Sequence, residues 1–256
     1  MSSGFLYEQA PTTLRQYCNR LGIELPATFN AAEQAADEAA AFLATMPGRS
    51  DVADAVRATL TTGRDPLDDE AVADALHGYQ LRQVVADVIT QHNVTARQQA
   101  AVASLDELTE MMRPVFEPAA AAATAAHQVL GDVDLTDPAA ILRRDRKAGA
   151  AFNDLGESSQ IINDCRFLWH WLANARSSSI RDGLGYACIV GHDLEHWIAE
   201  PINTSREPID LLRDGWTLEL HTYTETAEFL DEADRERRHR DEAERARRLD
   251  RAHGRG

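Results

Sequence analysis

Hydrophobic and polar positions alternate with helical spacing over most of the chain. In the N-terminal part, Thr12 or Thr13 is placed to cap a helix running to Leu21, with Gly22 closing it. Asn30 caps a second, Ala31 to Thr45, ended by Pro47-Gly48. Ser50 or Asp51 caps a third that stops near Gly63, and Val52, Val56 and Leu60 give it one apolar stripe. From Glu70 to Arg113 there is no proline and Gly78 is the only glycine. Leu81, Val85 and Val88 step by four and three, and Val102, Leu105, Leu108 and Met112 resume the step after the polar patch Gln91–Gln99. That patch is either a loop or a weakly packed stretch of one long helix.

Pro114 and Pro118 punctuate, and a helix from Ala119 to Leu130 follows, closed by Gly131. Asp137-Pro138 starts a short segment to Arg144. In the next long helix, about Lys147 to Arg176, the residues Phe152, Leu155, Ser159, Ile162, Cys165, Trp169 and Leu172 step by three or four. This is the spacing of helix packing in bundles and coiled coils, and it predicts an antiparallel partner among the Leu81–Met112 helices. Ser177 to Gly183 reads as a loop. Leu184–Val190 and Trp216–Thr224 read either as a two-stranded ribbon or as helix. The tail after Leu230 has no large apolar residue before Leu249. It carries five acid-first i,i+4 pairs with arginine: Asp231–Arg235, Asp234–Arg238, Glu236–Arg240, Asp241–Arg245 and Glu244–Arg248. That pattern describes a solvated helix.

The expected fold is mainly α. It is an elongated bundle or long helical hairpin (65–176) with an N-terminal helical cap (1–64), a small C-terminal appendage (177–230) and a charged helical tail (231–256). Composition agrees: Ala is 42 of 256 residues and aromatics are 6%. The net charge of −16 argues against nucleic acid or an anionic membrane as partner. The charge resides in the body, because residues 231–256 hold nine Arg and eight acids. Lys147 is the only lysine, a bias typical of high-G+C genomes. No apolar run is long enough to span a membrane, and the N-terminus lacks a signal-peptide pattern. Cys18, Cys165 and Cys188 are odd in number at unrelated spacings, so reduced thiols and a cytoplasmic setting are expected.

One short constellation carries chemistry. Residues 192–196 read His-Asp-Leu-Glu-His. On a helix, His192 and His196 would share a face and ligate one divalent metal such as Zn or Mn, with Glu195 as base toward a bound water. The string fits the H-x-x-E-H inverzincin pattern. It also resembles the His-Asp pair of HD-type phosphohydrolases, which would make His192 and Asp193 ligands with His196 nearby. His170 is an upstream ligand candidate, Asp210 and Asp214 downstream ones. Glu219, Glu225 and Glu228 are candidates for a third inverzincin ligand.

The cluster Trp169, Trp171, Trp197 and Trp216 is read mainly as core and secondarily as a protein-binding patch. There is no phosphate-binding glycine loop, G-x-S-x-G or C-x-x-C motif.

Through LRQVVADVI, HQVLGDVDL, the DPAAILRR turn and the following long helix, residues 70–175 resemble helical proteins of phage and prophage gene clusters in high-G+C bacteria. The resemblance implies a place in a virion or in virion assembly. The expected function is therefore a non-enzymatic, oligomeric structural or assembly protein with protein partners and no cofactor. A metal-dependent hydrolase using the 192–196 motif is the first alternative. An acidic regulatory module for a basic partner is the second.

Overall fold

A computed structural model describes residues 3–131, 133–135, 137, 141, 143, 145–176, 184–200, 202 and 206–253. The fold is mainly α. The helices are α1 (Ser3–Leu21), α2 (Ala27–Ala44), α3 (Arg49–Thr61), α4 (Glu70–Ala103), α5 (Leu105–Leu130), α6 (Arg146–Arg176), α7 (Leu184–Ala187), α8 (Leu194–Ala199), α9 (Pro208–Arg213) and α10 (Tyr223–His253), with a 3₁₀ turn at Pro66–Asp68. Contacts divide the chain into two compact units, Met1–Leu25 with Val102–Gly256, and Pro26–Ala101. This division places α1 with the C-terminal half, whereas the sequence pattern grouped 1–64 together.

The core of the first unit is α5 against α6, and α1 also packs on α6. Arg176 at the end of α6 lies 3.7 Å from Asp106 at the start of α5, so the two run antiparallel. The α6 seam is buried at Leu155, Ile162, Cys165, Trp169 and Leu172, while Phe152 and Ser159 are half-exposed. Its partner is α5, not the Leu81–Val88 stretch. On α5, Leu105, Leu108, Met112, Phe116, Ala123 and Leu130 are buried at one continuous helical period.

That period runs through Pro114 and Pro118, so the break expected there is absent. Both prolines sit on the solvent side, as do Glu110 and Pro114, whose carbonyls lose a helical donor and turn to water. Packing of the opposite face on α6 keeps the helix whole. On α1, Ala10, Leu14, Cys18 and Leu21 form the buried line. The helix passes through Pro11, so Thr12 and Thr13 are interior residues rather than caps. In the second unit, α2 begins at Ala27 after Pro26, before the expected Asn30 cap. Helix α3 is capped through Asp51, whose carboxylate accepts from the Gly48 N–H at 2.5 Å. The polar patch Gln91–Gln99 is helical throughout, and the chain breaks only at Ser104.

The pattern of 184–190 and 216–224 fits either ribbon or helix. Residues 184–187 form a helical turn, and one antiparallel bridge, Val190 with Leu218, joins the two stretches. Hydrogen bonds Gly191 N–H to Thr217 O, Glu219 N–H to Ile189 O and His221 N–H to Cys188 O continue the pairing on either side. A Cβ at Gly191 would lie 2.2 Å from the Thr217 hydroxyl, so this close approach requires glycine. The expected segments Asp137–Arg144 and Ser177–Gly183 lie mostly or wholly outside the described residues.

Helix α10 starts at Tyr223, earlier than a tail beginning at 231. A capping box sets that start: Glu225 accepts from the Thr222 N–H at 2.8 Å, and the Thr222 hydroxyl accepts from the Glu225 N–H at 3.2 Å. Thr226, Phe229, Leu230 and Ala233 bury one side of its first three turns. Beyond them the helix is solvated, and the ion pairs Glu236–Arg240 and Glu244–Arg248 form as spaced. Arg235 and Arg238 instead donate to the backbone carbonyls of Asp231 and Asp234. Among the described residues, no helix is long and apolar enough to cross a membrane.

Candidate functional site

The spacing predicts a helix over the 192–196 motif, with two histidines one turn apart. The structure places the helix boundary inside it. Asp193 is the N-cap of α8, its carboxylate accepting from the His196 N–H at 2.9 Å. His192 therefore precedes the helix and does not share a face with His196. Its ring lies on that of His221, centroids 3.6 Å apart, and on Phe229 at 4.2 Å, and its Nε2 is 3.0 Å from the Ala187 carbonyl. His196 stacks on Trp216 at 3.9 Å. Glu195 is exposed and pairs with Arg240 at 2.5 Å. The hydrogen bond from Arg240 holds its carboxyl below the usual range.

The four polar residues of the motif thus face a cap, an arginine and two aromatic stacks. Among the described residues, no group of three or more His, Cys, Asp and Glu side chains is arranged to hold a metal ion. His170 bonds Asn174 at 2.8 Å, and burial followed by the Arg166 charge keeps its imidazole below its ordinary value.

The two stacked histidines are electrostatically unusual in another way. Burial lowers the pKa of both, and for His221 the neighbouring His192 lowers it further. Glu219 and Glu225 oppose this shift. Spacing along the chain does not connect His221 or Phe229 to the motif, because residues 25 to 40 positions apart meet only through the bridge and the α10 docking.

Three of the four tryptophans lie in the core. Trp169, Trp197 and Trp216 are almost completely buried, so they offer no surface to a partner. The Trp169 indole N–H donates to the His221 carbonyl at 3.0 Å, and Trp197 meets Trp216 and Phe229 edge-on. Trp171 is half-buried and continues a row with Phe167 at 5.6 Å and Tyr17 at 4.9 Å from Phe167.

The surface that stands out is on α4. Its covered positions recur at a heptad step: Ala75, Tyr79, Arg82, Ala86, Ile89, Asn93 and Ala96. Ala75, Ala86 and Ala96 are small and Arg82 and Asn93 polar, while Tyr79 and Ile89 are large, and Val72 and Val85 are covered as well. Gly78 lies against Pro47, Arg82 donates to the Met46 carbonyl at 3.2 Å, and Arg97 pairs with Glu33 at 2.7 Å. Of the apolar step in the sequence, Leu81 and Val88 are exposed and Val85 is half-buried, and Val84 is exposed beside them. Leu81 is 49% exposed, Val84 64% and Val88 65%. Apolar residues lie on both sides of the helix, and Leu81, Val84 and Val88 form a line left to solvent. Scattered exposed apolar residues are ordinary; three in line on one helix face are the pattern of a helix–helix contact. No protein-family model, curated protein or solved structure matches the chain.

Proposed function

We propose that the chain is a non-enzymatic structural or assembly protein that associates with further copies of itself through the exposed stripe of α4. The observation that carries this reading is the outward placement of Leu81, Val84 and Val88 on a helix of 34 residues. The stripe falls within residues 70–175, the part whose sequence resembles phage and prophage helical proteins. A role in a virion or its assembly is the setting that resemblance suggests.

The magnitude decides the kind of association. Covering three half-exposed apolar side chains on each of two copies contributes about 1 kcal/mol per side chain, or about 6 kcal/mol together. Loss of free motion on association costs about 4–15 kcal/mol. The stripe alone therefore gives weak pairing that depends on concentration, and neighbouring contacts must add to it.

Sedimentation velocity over a concentration series tests this. The wild type is expected to shift toward dimers or larger species as concentration rises. Leu81→Glu/Val88→Glu is expected to remain monomeric with an unchanged far-UV spectrum. A wild type that stays monomeric up to about millimolar chain, where even weak interfaces register, overturns the reading. So does a double variant that associates as well as wild type.

A further inference from the structure

A cavity of about 510 Å³, open on one side, lies beside α6 and the start of α9. Its volume falls in the range of small-molecule sites. Leu135, Phe152, Leu155 and Ile209 form an apolar wall. Phe152 and Ser159 belong to the α6 seam, but helix packing leaves both half-exposed, and they line this opening.

Gly156 is part of the lining and sits in the middle of α6. Glycine weakens a helix interior, and it is normally kept where another group approaches closely. Here a Cβ would meet no heavy atom within 4 Å. Nothing in the surrounding packing requires the glycine, and a large side chain there would have the space of the opening to enter.

Among the described residues, the charged groups lining the cavity are the carboxylates Glu157 and Glu207, both exposed. Glu207 is held by Asn163, whose amide donates to it at 2.9 Å. No cation lines the opening among the described residues. An anionic ligand would meet two like charges. A neutral apolar ligand would displace water from the carboxylates without replacing its hydrogen bonds, which is costly. A cation with an apolar body satisfies both parts of the lining: its carbon chain covers the apolar wall and its N–H groups donate to the carboxylates.

We infer that this cavity is a binding site for an organic ammonium ion with an apolar body, such as an alkylamine. The inference stands apart from the association through α4 and uses none of its residues.

Calorimetric titration of the full chain with octylammonium, octanol, octanoate and methylammonium tests it, each below any micelle concentration. Octylammonium is expected to saturate near one per chain and to bind at least about tenfold tighter than octanol or octanoate. Methylammonium, which has no chain to cover the wall, is expected to give no saturable heat. Glu157→Gln/Glu207→Gln is expected to weaken octylammonium about tenfold while keeping the Asn163 hydrogen bond. Gly156→Leu is expected to abolish binding, and it restores a better helix former at a position with free space, so folding is retained. Octanol binding as tightly as octylammonium, wild-type affinity in Gly156→Leu, or absence of saturation in the wild type each overturns the inference.

Discussion

Replacing Trp169 by Phe probes how α6 holds the C-terminal appendage. The Trp169 ring is fully buried, lies 6.0 Å from the Tyr223 ring and donates its N–H to the His221 carbonyl at 3.0 Å. That carbonyl belongs to the stretch that pairs with residues 188–191, so one side chain joins α6, the bridge and the start of α10. Phe keeps most of the ring and loses the donor. The smaller side chain forfeits about 40 Å² of buried apolar surface, or about 1 kcal/mol. The carbonyl left without its partner costs about 1–2 kcal/mol more, at the low end because it is only partly buried. The expected loss is about 2–3 kcal/mol. Trp169→Leu adds a larger cavity and should cost about 3–5 kcal/mol.

Urea unfolding followed by tryptophan fluorescence is the assay. All four tryptophans lie at positions 169–216, in the unit that contains α5 and α6, so the signal reports that unit and not residues 26–101. Trp171, Trp197 and Trp216 retain the signal in the variant. A loss below about 0.5 kcal/mol for Trp169→Phe would refute the argument that this hydrogen bond ties the appendage down.

Three other outcomes follow from the structure. First, unit stability should fall as pH drops from 7 toward 5. His192 and His221 have folded pKa values below their ordinary value of 6.5, so the unfolded chain takes up protons first; stability is full above 6.5 and declines below it. His221→Phe should flatten that decline in urea midpoints measured against pH, and an equally steep decline would count against the stacked pair as its source. Second, burial raises the Cys18 thiol to about 11 and the Cys165 thiol to about 12, and raises Cys188 as well. Native chain should therefore resist thiol labelling at pH 8 and label fully in urea, and rapid native labelling would contradict the burial. Third, Leu81→Glu/Val88→Glu should abolish concentration-dependent sedimentation while leaving the fluorescence-detected urea midpoint unchanged, since α4 lies outside the reporting unit.

Helix type was legible wherever an apolar period persisted. The α6 seam and the α5 face could be read from spacing because both bury large side chains against each other. Helix ends were harder. Pro114 and Pro118 looked like stops because their cost is local, while the packing that offsets it comes from α6, distant in sequence. The His-Asp-Leu-Glu-His string looked like one helical turn because spacing alone does not show where a helix starts. Asp193 is a good N-cap residue, and reading it as one would have put His192 outside the helix. Likewise Thr222 and Glu225 form a T-x-x-E box that locates the start of α10 from sequence alone. The exposed line of α4 was not legible, because the step read through Val85, which is half-buried, and the exposed residue between Leu81 and Val88 is Val84.

The capping box at Thr222 has a metric consequence. A helix with one fixed first residue converts residue number into distance. From the buried turn at Ala233 to His253, α10 rises about 30 Å at about 1.5 Å per residue. Its Glu–Arg pairs at four-residue spacing, Glu236–Arg240 and Glu244–Arg248, brace part of that length. Whatever is joined to its far end is held at a set reach from the body, and each residue removed or inserted shortens or lengthens that reach by about 1.5 Å and turns the attached group by about 100°. Helix α10 thus acts as a graduated rod, its zero mark set by a threonine and a glutamate.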